Sequence, residues 1–491
     1  MAQVAAIIGG GVIGGGWAAR FLLNGWDVRV FDPSPTAEAT LAPVLEQARR
    51  ALPGLTDVAL PSEGRLSFHA DLAEAVTGAA WIQESVPERL EIKHNVLAQM
   101  QAACAADAII GSSTSGFKPS ELQQGAARPE QIMVCHPFNP VYLMPLVEVV
   151  PSPDTDPALV DRAQAVLRGL GMFPLHVRKE IDAHIADRFL EAVWREALWL
   201  VKDGVATTEE IDEAIRMGFG IRWAQMGLFD TYRTAGGAAG MRHFMAQFGP
   251  ALQWPWTKLM DVPEFTDALV DLIAGQSDAQ SGHMTIPEML QARDNNLVGL
   301  LRALKQTNWG AGAVLNAHDA ALAQGTVLAA RADMLEDVGG PIPTVQRTVP
   351  LDWTDYNGHM NEARYLQAFG DATDRFMALI GCDADYVATG GSYFTAETHL
   401  RHIDEVRAGA RIEVVTQVLS GAGKKLHLWH EMRQGDRLLA TAEHFLLHVS
   451  LETRKPSDPA PQILAALTRI AEAHAHLATP EGVGRSVGQR P

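Results

Sequence analysis

Two short stretches gather the side chains that acid–base chemistry needs. In Val134-Cys135-His136-Pro137-Phe138-Asn139-Pro140 an imidazole ends an apolar run, and Glu148 follows within a second apolar run, Leu146 to Val150. Oxidising an alcohol requires a base for the hydroxyl proton while hydride leaves the carbon. Imidazole titrates near neutrality, and a buried carboxylate on its other nitrogen fixes the tautomer and stabilises the imidazolium. Ser115, in Gly111-Ser112-Ser113-Thr114-Ser115 after another apolar run, is placed to hydrogen-bond the reacting oxygen. Taken singly, each reads as well as a cap, a core histidine or a strand-end glutamate; their joint position at strand ends points to a site. The second stretch, Asp355-Tyr356-Asn357-Gly358-His359-Met360-Asn361, brings a carboxylate, an amide and an imidazole to the start of a helix. Such a cluster polarises a thioester carbonyl and activates water, although Asp and Asn also serve there as plain helix caps.

The hydride acceptor is legible at the N-terminus. The apolar run Val4 to Ile8 enters Gly9-x-Gly11-x-x-Gly14, a helix follows, and a second apolar run from Asp27 to Phe31 ends on Asp32. Gly9 makes the tight turn, Gly11 lets the backbone approach a pyrophosphate, and Gly14 lets helix and strand pack closely. The pyrophosphate would rest on the helix N-terminus, at Val12 and Ile13, where free N–H groups favour an anion. Asp32 stands about 20 residues on, where its carboxylate accepts the ribose hydroxyls and would repel a 2′-phosphate. No arginine follows in Pro33-Ser34-Pro35-Thr36, so NAD is expected rather than NADP.

These groups need elements to hold them. A chain of 491 residues is too long for one core. Up to about residue 182 strand-like runs alternate with helical stretches, as in a doubly wound sheet with the cofactor at the strand C-termini. Residues 183–325 read as helical, with apolar positions at 3–4 spacing. The glycines and prolines of LEDVGGPIPT mark a linker, set at 326–345. Residues 346–455 hold a long helix followed by runs rich in β-branched and aromatic residues, as in an antiparallel sheet wrapped on one helix. Residues 456–491 read as a helix and a disordered tail.

Composition narrows the classes. The balance of 40 basic against 58 acidic residues, −18 in all, argues against nucleic acid or an anionic membrane as partner. Three cysteines with no CxxC pair suggest neither a disulfide framework nor a metal site, and fit a reducing cytoplasm. No apolar run is long enough to span a bilayer and no basic leader opens the chain, so a cytoplasmic protein is expected.

The segments IIGGGVIGGGWA, WIQESVPERLEIK, SSTSGFKPSEL and HPFNPVYLMPLVEVVP together resemble the 3-hydroxyacyl-CoA dehydrogenase superfamily over roughly residues 1–320. Within it the chain looks most like the branch of L-carnitine and λ-crystallin-type gulonate dehydrogenases, which act on free charged hydroxy acids. The resemblance implies Ser115 and His136 at the reacting oxygen, Glu148 as the histidine's partner, and Glu88 and Lys93 near the nicotinamide ribose. Where the family has an asparagine, this chain has Asp187. That change either keeps one acceptor oxygen or places a carboxylate for a cationic substrate. Between Pro33 and Gly64, where the acyl-CoA branch carries a basic hairpin, only Arg49 and Arg50 are basic, so a small charged substrate is favoured over an acyl-CoA. Phe138, Tyr142 and Phe219, with Trp194, Trp199 and Trp223, could supply aromatic faces for a quaternary ammonium group; at helical spacing such residues are also ordinary core.

The Asp355 stretch, with TAETHLRHIDEVRAGARIEV, looks like the hotdog-fold acyl-CoA thioesterases of the 4-hydroxybenzoyl-CoA thioesterase-like group, over about residues 345–455. This implies Asp355 as base or nucleophile, Asn357 and His359 around the acyl carbonyl, and Glu397 as a lesser candidate. The fold class expected is therefore an α/β Rossmann domain plus an all-α domain, followed by an α+β hotdog domain. The two resemblances together imply NAD-dependent oxidation of carnitine and hydrolysis of an acyl-CoA, betainyl-CoA, in a homodimer. The alternative is a gulonate or other 3-hydroxy-acid dehydrogenase whose hotdog domain serves only dimerisation.

Overall fold

Alternating apolar runs and helices build an eight-stranded sheet in the first part of the chain. In the computed structural model, residues 3–235, 240–248, 257–258, 264, 266–324, 338–485 and 487 are described. They divide into two units, Met1–Ala48 with Glu63–Asn316, and Arg49–Ser62 with Ala317–Pro491.

The sheet of the first unit comprises β1 (Val4–Ile8), β2 (Asp27–Phe31), β3 (Leu66–His69), β4 (Trp81–Glu84), β5 (Ile109–Ser112), β6 (Ile132–Pro137), β7 (Leu146–Val150) and β8 (Phe173–His176), in the order β3-β2-β1-β4-β5-β6-β7-β8. Strands β1 to β6 are parallel, β7 is antiparallel to β6, and β8 parallels β7. Both faces are covered, so β1, β4 and β6 are buried along nearly their whole length, as expected of parallel strands flanked by helices. The helices that matter for the site are α1 (Val12–Leu23), α2 (Ala37–Ala51), α3 (Leu90–Ala103), α4 (Ala186–Lys202) and α5 (Ile286–Lys305). Arg20 on α1 is fully buried, and its guanidinium donates to the carbonyls of Tyr142, Leu170 and Gly171. Burial lowers its pKa to about 9, and those three carbonyls are its partners in place of a carboxylate.

The second unit is a five-stranded antiparallel sheet, β9 (Ile342–Thr348), β10 (Gly391–His402), β11 (Arg411–Ala422), β12 (Lys425–Gln434) and β13 (Arg437–Ser450), in the order β10-β13-β12-β11-β9. It carries α6 (Glu362–Leu379), which buries Tyr365, Phe369, Ala372 and Phe376, one face at helical spacing. Asn361 caps that helix through the Ala363 N–H. A second helix, α7 (Pro461–His474), buries Ile463, Leu467 and Ile470. At the free side of β9, the Ala59 N–H donates to the Gln346 carbonyl and Arg347 pairs with Asp57, so the segment Arg49–Ser62 protects that edge.

Three expectations change. Of the linker set at 326–345, residues 326–337 lie outside the described residues, and Ile342 to Val345 belong to β9. Pro343 enters a strand because it sits at a register irregularity opposite Val415. The tail expected to be disordered is described as far as Arg485; the Gly484 N–H donates to Glu443, which orders it. The region set out as Rossmann, 1–182, contains the segment 49–62 that belongs to the second unit.

A polar row crosses the hotdog core under α6. Thr344 meets Thr416, Thr416 meets His430 Nδ1, and the Thr373 hydroxyl lies 3.1 Å from both His430 Nε2 and His444 Nδ1. Burial holds His430 well below its ordinary value, with His444 adding to the effect, and burial takes His444 down from 6.5 to about 4. An unfolded chain gains protons at these histidines below about pH 6.5 while the folded core refuses them until about pH 4. The penalty is absent above that window and grows as pH falls through it. The denaturant midpoint of the second unit should therefore drop between pH 6.5 and 4, and the slope should flatten in the His430→Gln/His444→Gln double variant. An unaltered slope in a folded double variant would assign the acid sensitivity to other groups.

Candidate active sites

The dinucleotide cradle follows from the glycines. Gly9 has φ +101°, and a Cβ there would meet the Ser85 carbonyl oxygen at 2.6 Å. A Cβ at Gly14 would lie 1.8 Å from the Gly9 carbonyl oxygen, whereas one at Gly11 would meet nothing within 4 Å. Gly9 and Gly14 are thus required by the turn itself, and the space over Gly11 is open to a ligand. The Asp32 carboxylate accepts the N–H of Gly10 at 2.6 Å and of Ser34 at 2.8 Å, which fixes it at the end of β2. Val12 and Ile13 open α1 without a side-chain cap, leaving their N–H groups for an anion. These residues fit a dinucleotide with unphosphorylated ribose.

His136 lies at the C-terminal end of β6, next to its last residue Pro137, and Glu148 lies opposite it on β7. The antiparallel register makes them cross-strand neighbours, and His136 Nδ1 is 3.0 Å from Glu148 Oε2. The other oxygen, Oε1, accepts the N–H groups of Ile185 and Ala186 at the start of α4. Burial pushes the Glu148 carboxyl up, but the His136 bond and the two N–H donors outweigh it and hold the group below its ordinary value. Glu148 is fully buried and His136 is 4% exposed. With Nδ1–H donated to Glu148, Nε2 is left as the base. Asp187 Oδ2 lies 3.6 Å from that nitrogen, and the Phe138 ring stands edge-on to the imidazole at 4.9 Å. Burial raises the Asp187 pKa, opposed by His136 and reinforced by Glu148. Ser115 sits in the exposed loop after β5 and makes no side-chain hydrogen bond among the described residues. Its neighbour Thr114 is held by Glu88 and by His184 Nε2.

Other expected residues fall elsewhere. Lys93 on α3 is 1% exposed, and its ammonium is 3.0 Å from Glu84 and 3.1 Å from Glu88. It is a buried countercharge that positions Glu88, which is itself half exposed and accepts the Gly116 N–H. Tyr142 is buried, and its hydroxyl donates to Asp294 on α5 at 2.7 Å and lies 3.2 Å from the Gln47 side-chain amide on α2. It ties helices to the loop after β6 and offers no face to a substrate. Phe219 packs on Trp223 at 4.6 Å. The face of Trp199 is already taken by Lys258 at 4.0 Å and Lys202 at 4.3 Å. Sequence reading passed over His184 and Glu84. His184 has φ +48° with no glycine to announce it, and Glu84 accepts the buried Ser112 hydroxyl as well as Lys93. The one available signal for His184 was its position just ahead of an amphipathic helix.

In the second unit Asp355 borders a cavity of about 470 Å³ lined also by Met360, Glu362, Tyr365, His402 and Glu405. Its carboxylate accepts the Asn357 N–H at 2.8 Å, closing the turn before α6. His359 does not join it: its Nε2 pairs with Glu405 at 3.1 Å, and its backbone bridges Arg407. The Asn357 side chain is exposed, and Glu397 lies at a register shift on the exposed part of β10. The Asp355 N–H donates to the His359 carbonyl at 2.9 Å, so the two residues stay adjacent while their side chains turn to different partners, Asn357 N–H and Glu405. Among the described residues no group of three His, Cys, Asp or Glu could hold a metal ion, and no helix is long and apolar enough to cross a membrane.

Comparison with known proteins agrees with this division. The 3-hydroxyacyl-CoA dehydrogenase NAD-binding domain matches residues 4–181, the C-terminal domain of the same family 184–265, and the thioesterase-like superfamily 349–467. An L-carnitine dehydrogenase/betainyl-CoA thioesterase of Ruegeria pomeroyi is 73% identical, covering 98% of this chain and 99% of the relative. Another of that name, from Agrobacterium fabrum, is 53% identical over 95% of this chain and 94% of its own length. The crystal structure of 5-formyl-3-hydroxy-2-methylpyridine 4-carboxylic acid 5-dehydrogenase, an NAD-dependent dismutase, superposes with a TM-score of 0.54 at 30% identity, covering 62% of this chain and 99% of that one.

With the base and its partner this deeply set, His136→Ala should lower turnover by roughly 10²–10⁴ and leave NAD affinity, read by protein fluorescence, nearly intact. Turnover within a factor of a few of wild type would remove His136 from the role of base.

Proposed function

The chain belongs to the L-carnitine dehydrogenase/betainyl-CoA thioesterase family, and from that premise we propose that its first unit oxidises L-carnitine to 3-dehydrocarnitine while its second hydrolyses betainyl-CoA to glycine betaine and CoA. The observation that carries the first half is the His136–Glu148 pair, 3.0 Å apart, at the strand ends of an NAD-binding sheet. His136 Nε2 takes the hydroxyl proton as the carbonyl forms, and Glu148 stabilises the imidazolium that results. NAD, when bound on the glycine cradle, accepts the hydride. Ser115, on its exposed loop, is free to bond the reacting oxygen, and Asp32 is placed for the adenosine ribose.

For the second half, Asp355 is assigned as the base or nucleophile. The cavity it borders also carries Glu362 and Glu405 beside the Tyr365 ring, a lining suited to a trimethylammonium acyl group and unsuited to a fatty or anionic one. The enzyme is assigned to the cytoplasm as a homodimer. Free cysteines support the first point. Exposed apolar side chains on α4, among them Phe189, Leu190 and Trp194, support the second.

The tests separate the two activities. Wild-type enzyme should reduce NAD with L-carnitine far faster than with gulonate, 3-hydroxybutyrate or 3-hydroxybutyryl-CoA. Asp355→Ala should abolish CoA release from betainyl-CoA and leave carnitine oxidation unchanged. Full thioesterase activity in that variant would place hydrolysis elsewhere, and its absence in wild type would reduce the hotdog unit to an assembly module.

A further inference from the structure

Resting on the dehydrogenase reading above, we propose that Asp187 and Arg188 read the two opposite charges of the substrate and so decide which way round it lies on His136. The two residues are neighbours in the first turn of α4, and successive helical side chains point about 100° apart. Asp187 turns to the imidazole, 3.6 Å from His136 Nε2. Arg188 turns instead to a cavity of about 680 Å³ that it lines with His184, Ile185, Phe189, Glu191 and Arg195. Arg195 and Glu191 face each other at 3.9 Å, so their charges largely offset. Arg188 has no hydrogen bond or ion pair among the described residues, and it leaves the cavity with a positive balance. His184 joins this cavity to the reacting centre. It lines the cavity, its ring lies 5.4 Å from that of His136, it is fully buried, and its Nδ1 has no partner.

Carnitine makes such an arrangement necessary. Its hydroxyl oxygen is separated from the quaternary nitrogen and from the carboxyl carbon by the same number of bonds, so the two arms differ chiefly in charge and in bulk at their ends. A hydrogen bond from the hydroxyl to His136 does not choose between them. Exchanging the arms carries the carbinol hydrogen from one side of the carbon to the other, which is the difference between presenting one enantiomer and its mirror image to the cofactor. A carboxylate beside Nε2 and an unpaired guanidinium in the adjoining cavity give the site a polarity that only one arrangement of arms satisfies. Arg188 is the better carboxylate partner because its planar fork donates two parallel N–H bonds.

The test is steady-state oxidation of L-carnitine, D-carnitine, carnitine amide and 3-hydroxybutyrate by wild type, Arg188→Gln, Arg188→Lys, Asp187→Asn and the Asp187→Asn/Arg188→Gln double variant. Intact NAD binding by fluorescence marks a variant as folded. Arg188→Gln should lose roughly 10- to 100-fold in kcat/KM for carnitine but little for carnitine amide, and Arg188→Lys should recover part of the difference. Asp187→Asn should narrow the gap between carnitine and 3-hydroxybutyrate. The double variant should lose most of its preference between carnitine enantiomers, a readout that a merely structural role would not move. Should Arg188→Gln fail to bind NAD, the carnitine-to-amide ratio in Arg188→Lys and the enantiomer ratio in Asp187→Asn decide the matter. Wild-type ratios in folded variants overturn the inference while the carnitine reading stands. A wild-type enzyme that does not oxidise carnitine overturns that reading first.

Discussion

The first unit is organised around one buried carboxylate. Glu148 accepts His136 Nδ1–H with one oxygen and, with the other, the N–H groups of Ile185 and Ala186 at the start of α4. No side chain caps α4 locally, since its N-cap position is Ile185. The sheet therefore supplies the cap from β7, and a full negative charge at a helix N-terminus is stabilising. The same carboxylate fixes the histidine tautomer and locates the helix turn that carries Asp187 and Arg188. Removing it would leave a buried imidazole and two buried N–H groups unpaired together, which costs far more than any one contact.

This arrangement explains which parts of the site sequence could reveal. His136 and Glu148 stand at ends of apolar runs, and their types alone suggest acid–base work. The glycine fingerprint is equally explicit, because two of its members are enforced by backbone clashes and the third by the ligand. What could not be read was the destination of long side chains. Lys93 and Tyr142 carry groups that would suit a cofactor or a substrate. In the fold those groups are consumed by Glu84, Glu88 and Asp294, partners far away in sequence. Trp199 is a similar case: its π face is occupied by lysines from its own helix and from residue 258. His184 was hidden for the opposite reason, since its left-handed backbone is held by the packing around it and by no residue type.

In the hotdog unit the motif was legible and its geometry was not. Asp355, Asn357 and His359 lie within five positions, which suggested one cluster. A tight turn closed by the Asp355 carboxylate instead sends the histidine to Glu405, on the segment between β10 and β11. The start of the sheet was equally elusive. The glycines and prolines around Ile342 have the composition of a linker, yet antiparallel pairing with β11 makes β9 a strand whose proline rests at a register shift. That strand is an edge, and the segment that protects it comes from residues 49–62, nearly three hundred positions earlier. Long-range contacts announce it, the Asp57–Arg347 pair and the Ala59 N–H on the Gln346 carbonyl.

The two units also solve the burial of polar groups differently. In the first, buried ionisable groups are met by named partners: Arg20 by three carbonyls, Lys93 by two carboxylates, Glu148 by a histidine and two N–H groups. A carboxylate held low, as Glu148 is, stays ionised well into mild acid. In the second, the core polar row is built from hydroxyls and neutral imidazoles, with His430 and His444 sharing the Thr373 hydroxyl. A hydroxyl both donates and accepts, so neutral imidazoles suit this row, in which the buried His444 Nε2 has no partner among the described residues. Protonating either ring would place a charge under α6 with no carboxylate in the row to meet it, and the sheet has no cheap way to relieve that charge except by opening.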